Sequence, residues 1–212
     1  AKNSNVEKFI TLGTVCSYPK FATIPFSENE IWDGFPDESN APYGISKKMM
    51  LVQSDAYLRQ YGFNSISVIP TNLYGPEDDF NIETANVIPG IILKISNAIK
   101  TDSKEVVLWG DGLATRDFLF VDDAADGIIL AAQKYDDVSP INLGAQKETS
   151  IKELATLIAE IMKFSGDIIW DDTKANGQPR RCVSNYKAER EIGFKPKISL
   201  RDGLTKVISW FD

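Results

Sequence analysis

The sequence predicts a parallel α/β sheet, and three features of the chain indicate it. A short hydrophobic run over residues 6–13 ends at Gly13 and is typical of a strand that closes in a turn. A helix-length segment follows a proline-rich, acidic loop, and a second hydrophobic run, Ser65–Pro70, comes directly after it. This order of strand, helix and strand favours parallel pairing.

The remaining elements are predicted from capping residues and hydrophobic patterning. The loop covers residues 18–42, and the first helix runs from about residue 43 to residue 61, with Gly62 suited to a C-cap. Residues 72–76 turn out of the second strand. Ser150 or Thr149 is expected to cap its helix. Further helices are predicted over residues 87–99, 122–135, 150–164, 185–192 and 199–211, and further strands over 105–109, 118–121, 140–144 and 167–170.

Composition excludes several classes of function. The 212 residues carry a formal charge of −7, which argues against nucleic acid as the main ligand because phosphate backbones require clustered Lys and Arg. No apolar run approaches the roughly 20 residues of a membrane helix, and the polar N-terminus has no signal-peptide core. With only Cys16 and Cys182, a reducing cytoplasm is expected. The absence of histidine excludes His-based triads and disfavours a zinc site, so no metal is expected.

Tyr43 and Lys47 are the strongest candidates for chemistry. Positions i and i+4 share one face of a helix, so the phenol and the ammonium can point into the same site. A tyrosine normally holds its proton until about pH 10, and a neighbouring ammonium stabilises the phenolate. Such a pair suits proton exchange with a carbonyl or an alcohol. The motif alone is weak, since the same pair can be an ordinary surface contact. Thr14, which follows the first strand, offers a hydroxyl beside it.

Four motifs in order extend this pattern: T-x-C-x-Y-P, P-Y-G-I-S-K, P-T-N-L-Y-G-P and W-G-D-G-x-x-x-R-D-F-L-F-V-D-D. Together with G-Q-P-R-R near the C-terminus, they resemble the extended short-chain dehydrogenase/reductase family, which includes NAD-dependent epimerases and dehydratases. The resemblance covers essentially the whole chain. It is strongest to members that epimerise and then reduce a GDP-linked 4-keto-6-deoxy sugar with NADPH.

The resemblance implies a Rossmann-type sheet with a smaller α/β substrate-binding domain. The sheet is expected over residues 1–82 and 117–148, and the nucleotide-sugar-binding domain over 83–116 and 149–212. No glycine-rich dinucleotide turn occurs in the sequence, so the first βα units of the fold are expected to be absent. An incomplete sheet would expose an edge, and a homo-oligomer or a partner segment is expected to cover it.

The resemblance also implies roles for individual residues. Thr14 would orient the C4 carbonyl, Tyr43 would protonate its oxygen, and Lys47 would hold the cofactor ribose. Cys16 would be the base in epimerisation, although a small residue packed at a strand end is the alternative. NADP is the expected cofactor, with NAD left open, and its nicotinamide side would be lined by Tyr43, Lys47, Pro70, Thr71, Asn72 and Leu73.

Nucleotide-sugar binding is expected from residues nearer the C-terminus: Asn86, Val87, Ile91, Leu108, Trp109, Arg116 and Arg181. The alternatives are core packing for Trp109 and ion pairs with Asp111 or Asp117 for the two arginines. Asp122 and Asp123 are expected to cap a helix rather than to do chemistry.

Asn86 departs from the family pattern, which has histidine there as the acid that reprotonates the ring carbon. An amide cannot be a general acid, so double epimerisation is in question. The asparagine could equally mark a related 4-reductase or an epimerase of a different substrate. Apart from Asn86, two further alternatives to an epimerase/reductase remain. One is a 4-epimerase or dehydratase that recycles its cofactor, and the other is a catalytically inactive fragment that binds nucleotide sugar only.

Overall fold

In the computed structural model, which describes residues 1–174 and 177–212, the predicted order of strand, helix and strand is present. The strands of the described residues are β1 (Phe9–Leu12), β2 (Ser65–Pro70), β3 (Asn72–Tyr74), β4 (Glu105–Trp109), β5 (Thr115–Phe120), β6 (Ile141–Leu143), β7 (Glu148–Ser150), β8 (Asp167–Asp171) and β9 (Arg180–Arg181). The α-helices are α1 (Ala41–Tyr61), α2 (Val87–Lys100), α3 (Val121–Lys134), α4 (Ile151–Ile161), α5 (Tyr186–Ile192) and α6 (Leu200–Phe211). Short 3-10 helices cover Lys2–Ser4, Val15–Ser17 and Glu28–Trp32.

The chain divides into two units, each built from three separate stretches. The first unit contains residues 1–73, 117–147 and 181–197, and the second contains residues 74–116, 148–180 and 198–212. Residues 181–197 thus pack with the first unit, although the sequence predicts them in the substrate-binding part. Their packing has a clear cause, because Ala188, Ile192 and Phe194 lie in the same hydrophobic cluster as strands β2 and β6.

The first unit is a parallel sheet covered by helices on both faces. Its strand order is β1-β2-β6, with Leu12 paired to Val68 and Pro70 paired to Leu143. Alternate side chains of β2 point to opposite faces. Ile66 and Val68 pack in one cluster with residues of α3 and α5, whereas Ile69 packs in another with Leu51 of α1. A strand buried on both faces explains why β2 is almost entirely apolar or small.

The second unit contains the parallel strand pair β4-β8, with α2 packed against β4 and α4, and α4 packed against α6. Strand β4 alternates, so that Val106 and Leu108 are buried while Val107 and Trp109 are exposed. Helix α4 begins with a capping box in which Ser150 accepts from the backbone of Glu153 and Glu153 accepts from the backbone of Ser150. The expected N-cap at Ser150 is confirmed.

Several predicted boundaries differ from the structure, among them those of β5 and α4. Strand β5 begins at Thr115, before its hydrophobic part, and α4 ends at Ile161 rather than at residue 164. The prediction that Asp122 and Asp123 cap α3 is wrong. Phe120 is the N-cap residue, and both aspartates lie in the first turn of the helix. The Asp123 carboxylate instead accepts a hydrogen bond from the backbone N–H of Lys197, at 3.0 Å.

Among residues 1–174 and 177–212, no helix combines the length and apolarity that crossing a membrane requires.

Candidate active site

Thr14 lies just beyond the carboxyl end of β1, where it begins a 3-10 helix. Its side chain is buried, and its Oγ1 accepts a hydrogen bond from the backbone N–H of Cys16 at 3.3 Å. The extended backbone of Thr14 and this contact make it the N-cap of the segment Val15–Ser17. A hydroxyl that accepts this bond still has its own O–H to donate, as the predicted contact with a substrate oxygen requires.

Gly44 brings the start of α1 against this segment. A Cβ atom at position 44 would overlap the carbonyl oxygen of Cys16, so only glycine permits the approach. The contact is closed by the hydroxyl of Ser17, which donates to the carbonyl oxygen of Gly44 at 2.9 Å. Tyr43, the preceding residue, is thereby held beside the stretch that contains Thr14 and Cys16.

Lys47 and Tyr43 share one face of α1, as their spacing predicts. The Nζ atom of Lys47 donates to the carbonyl oxygen of Leu12, the last residue of β1, at 3.0 Å. The same Nζ lies 6.0 Å from the centroid of the Tyr43 ring. Tyr43 is 51% exposed, whereas Lys47 is half-buried. The ammonium is therefore fixed at the carboxyl end of β1, and the phenol beside it is open to a ligand.

The residues after β2 are held by the backbone of β5. Thr71 Oγ1 donates to the carbonyl oxygen of Asp117 at 3.0 Å, and Asn72 Nδ2 donates to the same oxygen at 2.9 Å. Pro70 is buried at the end of β2, and Leu73 is 39% exposed. Pro70 thus ends the strand adjacent to β1, and Thr71, Asn72 and Leu73 follow it directly, the last two within β3.

The Asp117 side chain supports this arrangement from within the unit. It has no exposed surface, and its Oδ1 accepts from the backbone N–H of Ala145 at 2.9 Å. Burial raises the pKa of this carboxyl to about 6, although backbone N–H groups including those of Ala145 and Val183 pull in the opposite direction. The sequence predicts Asp117 only as an alternative partner for an arginine.

Cys16 and Arg181 are brought together although they are far apart in the chain. Nη1 of Arg181 donates to Sγ of Cys16 at 3.4 Å. Cys16 is half-buried and not in a disulfide, and Arg181 is only 8% exposed. The sequence predicts a nucleotide-binding role for Arg181 and does not predict its contact with the thiol.

The other predicted nucleotide-sugar residues belong to the second unit, where they differ in burial. Ile91 and Leu108 are interior side chains, each 4% exposed. Trp109, in contrast, is 69% exposed at the end of β4, and the Nζ of Lys94 lies 5.4 Å from its ring centroid. Such an exposed indole is a flat apolar surface rather than a core side chain.

Asn86, Val87 and Arg116 lie at the ends of their elements. Asn86 is the exposed N-cap of α2, and its side chain makes no capping hydrogen bond. Val87 follows as the first helical residue and is 37% exposed. Arg116 is half-buried, and its Nη1 donates to the carbonyl oxygen of Thr115 at 2.7 Å.

Two residues that shape the site are missed by the sequence reasoning, Gly44 and Asp117. Both lie inside motifs that the sequence shows, P-Y-G-I-S-K and R-D-F. A glycine in the first turns of a helix is a signal of close backbone approach, because it lowers helix propensity without any local benefit.

Comparison with known proteins places these features in a family. The family model for the NAD dependent epimerase/dehydratase family matches residues 1–144. The chain is 40% identical over 210 residues to probable GDP-L-fucose synthase 1 of Oryza sativa subsp. japonica, covering 99% of this chain and 64% of that protein. It is 35% identical over 220 residues to GDP-L-fucose synthase of Escherichia coli strain K12, covering 100% of this chain and 68% of that protein.

A solved structure agrees with these relatives. The crystal structure of a GDP-L-fucose synthetase from Naegleria fowleri bound to NADP superposes with a TM-score of 0.91 at 30% identity, covering 99% of this chain and 67% of that one. The present chain thus spans just under two thirds of the length of the rice protein. The matched residues include the whole of the Thr14, Cys16, Tyr43 and Lys47 cluster, and the chain belongs to the NAD dependent epimerase/dehydratase family.

Proposed function

We propose that this protein is a nucleotide-sugar epimerase/reductase similar to GDP-L-fucose synthase, acting on a GDP-4-keto-6-deoxy-hexose with NADPH. One observation carries the proposal: Lys47 is anchored at the carboxyl end of β1, with the exposed phenol of Tyr43 one helical turn away. The similarity to proteins named GDP-L-fucose synthase supports GDP and the keto sugar as the substrate class.

The residues of the chain can manage the proton that a ketone reduction needs. The Tyr43 hydroxyl donates its proton to the C4 oxygen of the sugar, and the Thr14 hydroxyl holds the same oxygen by a second hydrogen bond. The Lys47 ammonium stabilises the phenolate that remains on Tyr43. Solvent then restores the phenol, which is open to water on the protein surface.

The nicotinamide end of the cofactor fits the donors that are present. Lys47 has three N–H groups and uses one on the carbonyl oxygen of Leu12, so two remain for ribose hydroxyls. Thr71 and Asn72 follow directly after the adjacent strand β2, on the side where parallel sheets bind ligands. When bound, NADPH supplies the hydride that reduces C4; NAD is the alternative cofactor.

Nucleotide binding is proposed for the second unit. The exposed indole of Trp109 can cover a base or a ribose, with Val87 as a second exposed apolar contact. Arg116 is proposed to bind the diphosphate through charge-assisted hydrogen bonds. Ile91 and Leu108 are proposed to act through packing under this surface, since their side chains are buried.

Asn86 favours a second candidate, a 4-reductase that does not invert C3 and C5. Its amide is exposed at the N-cap of α2 and cannot deliver a proton to carbon. Cys16 is still present as the proposed base. In this candidate it can remove a proton from the carbon beside the ketone, but the carbon is not inverted. Carrying out the reaction in D2O and analysing the product by NMR separates the two candidates, because inversion places deuterium at C3 and C5 with changed stereochemistry.

The proposal is tested by measuring NADPH oxidation with the GDP-4-keto-6-deoxy sugar. Tyr43→Phe should lower kcat by at least about 100-fold, which is the lower range for loss of a general acid. Tyr57→Phe is the matched control and should retain normal turnover, because Tyr57 lies on the same helix and its ring centroid is 5.4 Å from that of Tyr61. Equal rates for Tyr43→Phe and wild type would refute the proposed mechanism.

Two other outcomes would select the remaining alternatives. Conversion of the sugar without net NADPH consumption would indicate a 4-epimerase or dehydratase that recycles its cofactor. Calorimetric binding of GDP with no turnover and no NADPH binding would indicate a catalytically inactive nucleotide-sugar binder. A cytoplasmic location is proposed with this function, since a reducing compartment suits the unpaired thiols of Cys16 and Cys182.

A further inference from the structure

Cys16 has a cationic partner that no sequence motif indicates. We propose that Arg181 is a positioning residue that stabilises the thiolate of Cys16, so that the sulfur can remove a proton from the carbon beside the sugar ketone. The inference rests on the proposed function and adds to it the residue that prepares the base. It also gives Arg181 a role distinct from contact with the diphosphate.

The backbone just after Arg181 is held in place by pairing with Phe26. The backbone N–H of Phe26 donates to the carbonyl oxygen of Cys182 at 2.8 Å, and that of Ser184 donates to the carbonyl oxygen of Phe26 at 2.9 Å. Phe26 and Val183 form a parallel bridge, and Val183 is fully buried. The residues immediately after Arg181 are thereby fixed to the loop that leads away from Cys16.

Burial makes the contact between the two side chains effective. Arg181 is 8% exposed, and its Nη1 donates to Cys16 Sγ at 3.4 Å, within reach of a hydrogen bond to sulfur. A guanidinium stays protonated at any physiological pH, so the charge beside the sulfur is permanent. Away from bulk water, a charge-assisted hydrogen bond is stronger than the same contact at the surface. The thiolate is the form of cysteine that accepts protons and reacts with electrophiles.

The proton-transfer step balances with these groups alone. The C–H bond next to the ketone breaks, its proton forms an S–H bond on Cys16, and its electron pair moves onto the ketone oxygen. Nothing is oxidised or reduced. Negative charge leaves the sulfur as it becomes a neutral thiol and appears on the substrate oxygen, where the hydroxyls of Thr14 and Tyr43 are proposed to bind it.

The test is the rate at which iodoacetamide alkylates Cys16 at about pH 7, measured by peptide mass spectrometry. Arg181→Gln should slow this alkylation by about tenfold, which corresponds to about 1.4 kcal/mol. Arg181→Lys, which keeps the charge, should stay within about threefold of wild type. Arg180→Gln is the matched control, because the adjacent Arg180 pairs with Glu148, and its rate should be unchanged.

Cys182 is an internal measure of folding, since it is buried and should resist alkylation in every folded variant. An Arg181→Gln rate equal to or above wild type, with Cys182 still protected, overturns the proposal. If the Gln variant exposes Cys182, the Lys variant decides: a rate within about threefold of wild type supports the proposal, and a larger loss overturns it.

The alkylation assay needs neither substrate nor cofactor, so its outcome is independent of the proposed function. A slow Arg181→Gln variant combined with wild-type protein that catalyses no exchange of sugar C–H protons in D2O would uphold the Arg181 inference and reject the epimerase chemistry. Normal exchange in wild type, together with alkylation of Arg181→Gln at the wild-type rate, would support the epimerase chemistry and reject the Arg181 inference.

Discussion

Asp117 is a fully buried carboxyl on which several parts of the first unit depend. Its backbone carbonyl receives hydrogen bonds from Thr71 and Asn72, and its side chain receives one from the backbone of Ala145. Gly144 lies so close that a Cβ there would overlap the Asp117 carboxylate. The residue therefore joins the segments that follow β2 and β6 to β5 through one side chain and one peptide group.

The raised pKa of Asp117 predicts a pH-dependent contribution to stability. A carboxyl whose pKa rises from 3.8 to about 6 on folding stabilises the folded state most below its ordinary pKa, and this contribution is lost as the pH rises through about 6. Relative to Asp117→Asn, wild type should lose about 2 kcal/mol of unfolding free energy between about pH 4 and about pH 7. Urea unfolding of both proteins at the two pH values measures the difference.

Asp136 provides a control of opposite sign. The Lys8 ammonium, aided by Asn64, lowers the pKa of this exposed carboxyl. Its stabilising contribution is therefore present above the ordinary pKa and lost as the pH falls. The difference in unfolding free energy between wild type and Asp136→Asn should therefore grow, in favour of wild type, as the pH rises. A stability difference for Asp117→Asn that does not vary with pH would contradict the assignment.

At the scale of elements, the approach of α1 to the segment Val15–Ser17 depends on Gly44. Gly44→Ala gains helix propensity, but the new Cβ overlaps the Cys16 carbonyl oxygen and forces the helix away. Such overpacking should lower the free energy of unfolding by about 2 kcal/mol net, which a lower urea midpoint would show. It should also lower any turnover that depends on Tyr43.

Gly90 in α2 is the matched control for this substitution. An added Cβ there meets only the carbonyl oxygen of Ala85, at 4.0 Å, so the site has room. Gly90→Ala should therefore raise stability by about 0.5 to 1 kcal/mol through reduced backbone entropy of the unfolded chain. A loss in Gly44→Ala no larger than experimental error would show that α1 can shift without cost.

The capping box of α4 gives a second prediction at this scale. Ser150→Ala removes the acceptor for the backbone N–H of Glu153 and should cost about 1 kcal/mol of unfolding free energy. Ser150→Thr keeps the hydroxyl and should lie close to wild type. Thermal melting followed by circular dichroism compares the three proteins, and equal melting temperatures would exclude a capping contribution.

Elements with a local signal are predictable from sequence, and those without one are not. Ser150 followed three residues later by Glu153 marks the start of α4, and Gly62 marks the end of α1. Strands of two or three residues such as β3, β7 and β9 are too short to show periodicity.

The same limit applies to the candidate site. The i, i+4 spacing of Tyr43 and Lys47 predicts their shared face, which the structure shows. The contact of Cys16 with Arg181 joins residues 165 positions apart, and that of Asp123 with Lys197 joins residues 74 apart. Tertiary packing alone creates such pairs, so no local pattern reveals them.

At the scale of the whole molecule, β1 is an edge strand of the sheet that the described residues of the first unit form. Its pairing within the described residues is with β2, and Phe9 and Leu12 on it are each 41% exposed. An apolar edge is a template for pairing with another chain, so concentration-dependent association is expected. Multi-angle light scattering across a concentration series measures it.

Phe9→Lys should reduce this association, because a charge on an edge strand opposes pairing. Phe21→Lys is the control: Phe21 is 91% exposed but lies outside the strand, and its substitution should leave the association unchanged. Wild type that stays monomeric over the whole series would remove the edge from consideration as a contact surface.

The interleaved path of the backbone has a practical consequence for anyone who dissects the protein. The chain passes from one unit to the other after residues 73, 116, 147, 180 and 197. No single cut in the gene yields either unit intact. Deleting residues 198–212 removes α6 from the second unit and leaves every segment of the first unit in place. Separating the proposed nucleotide binding from the proposed proton chemistry therefore calls for circularly permuted or spliced versions of the gene, in which the three stretches of one unit are rejoined by short linkers.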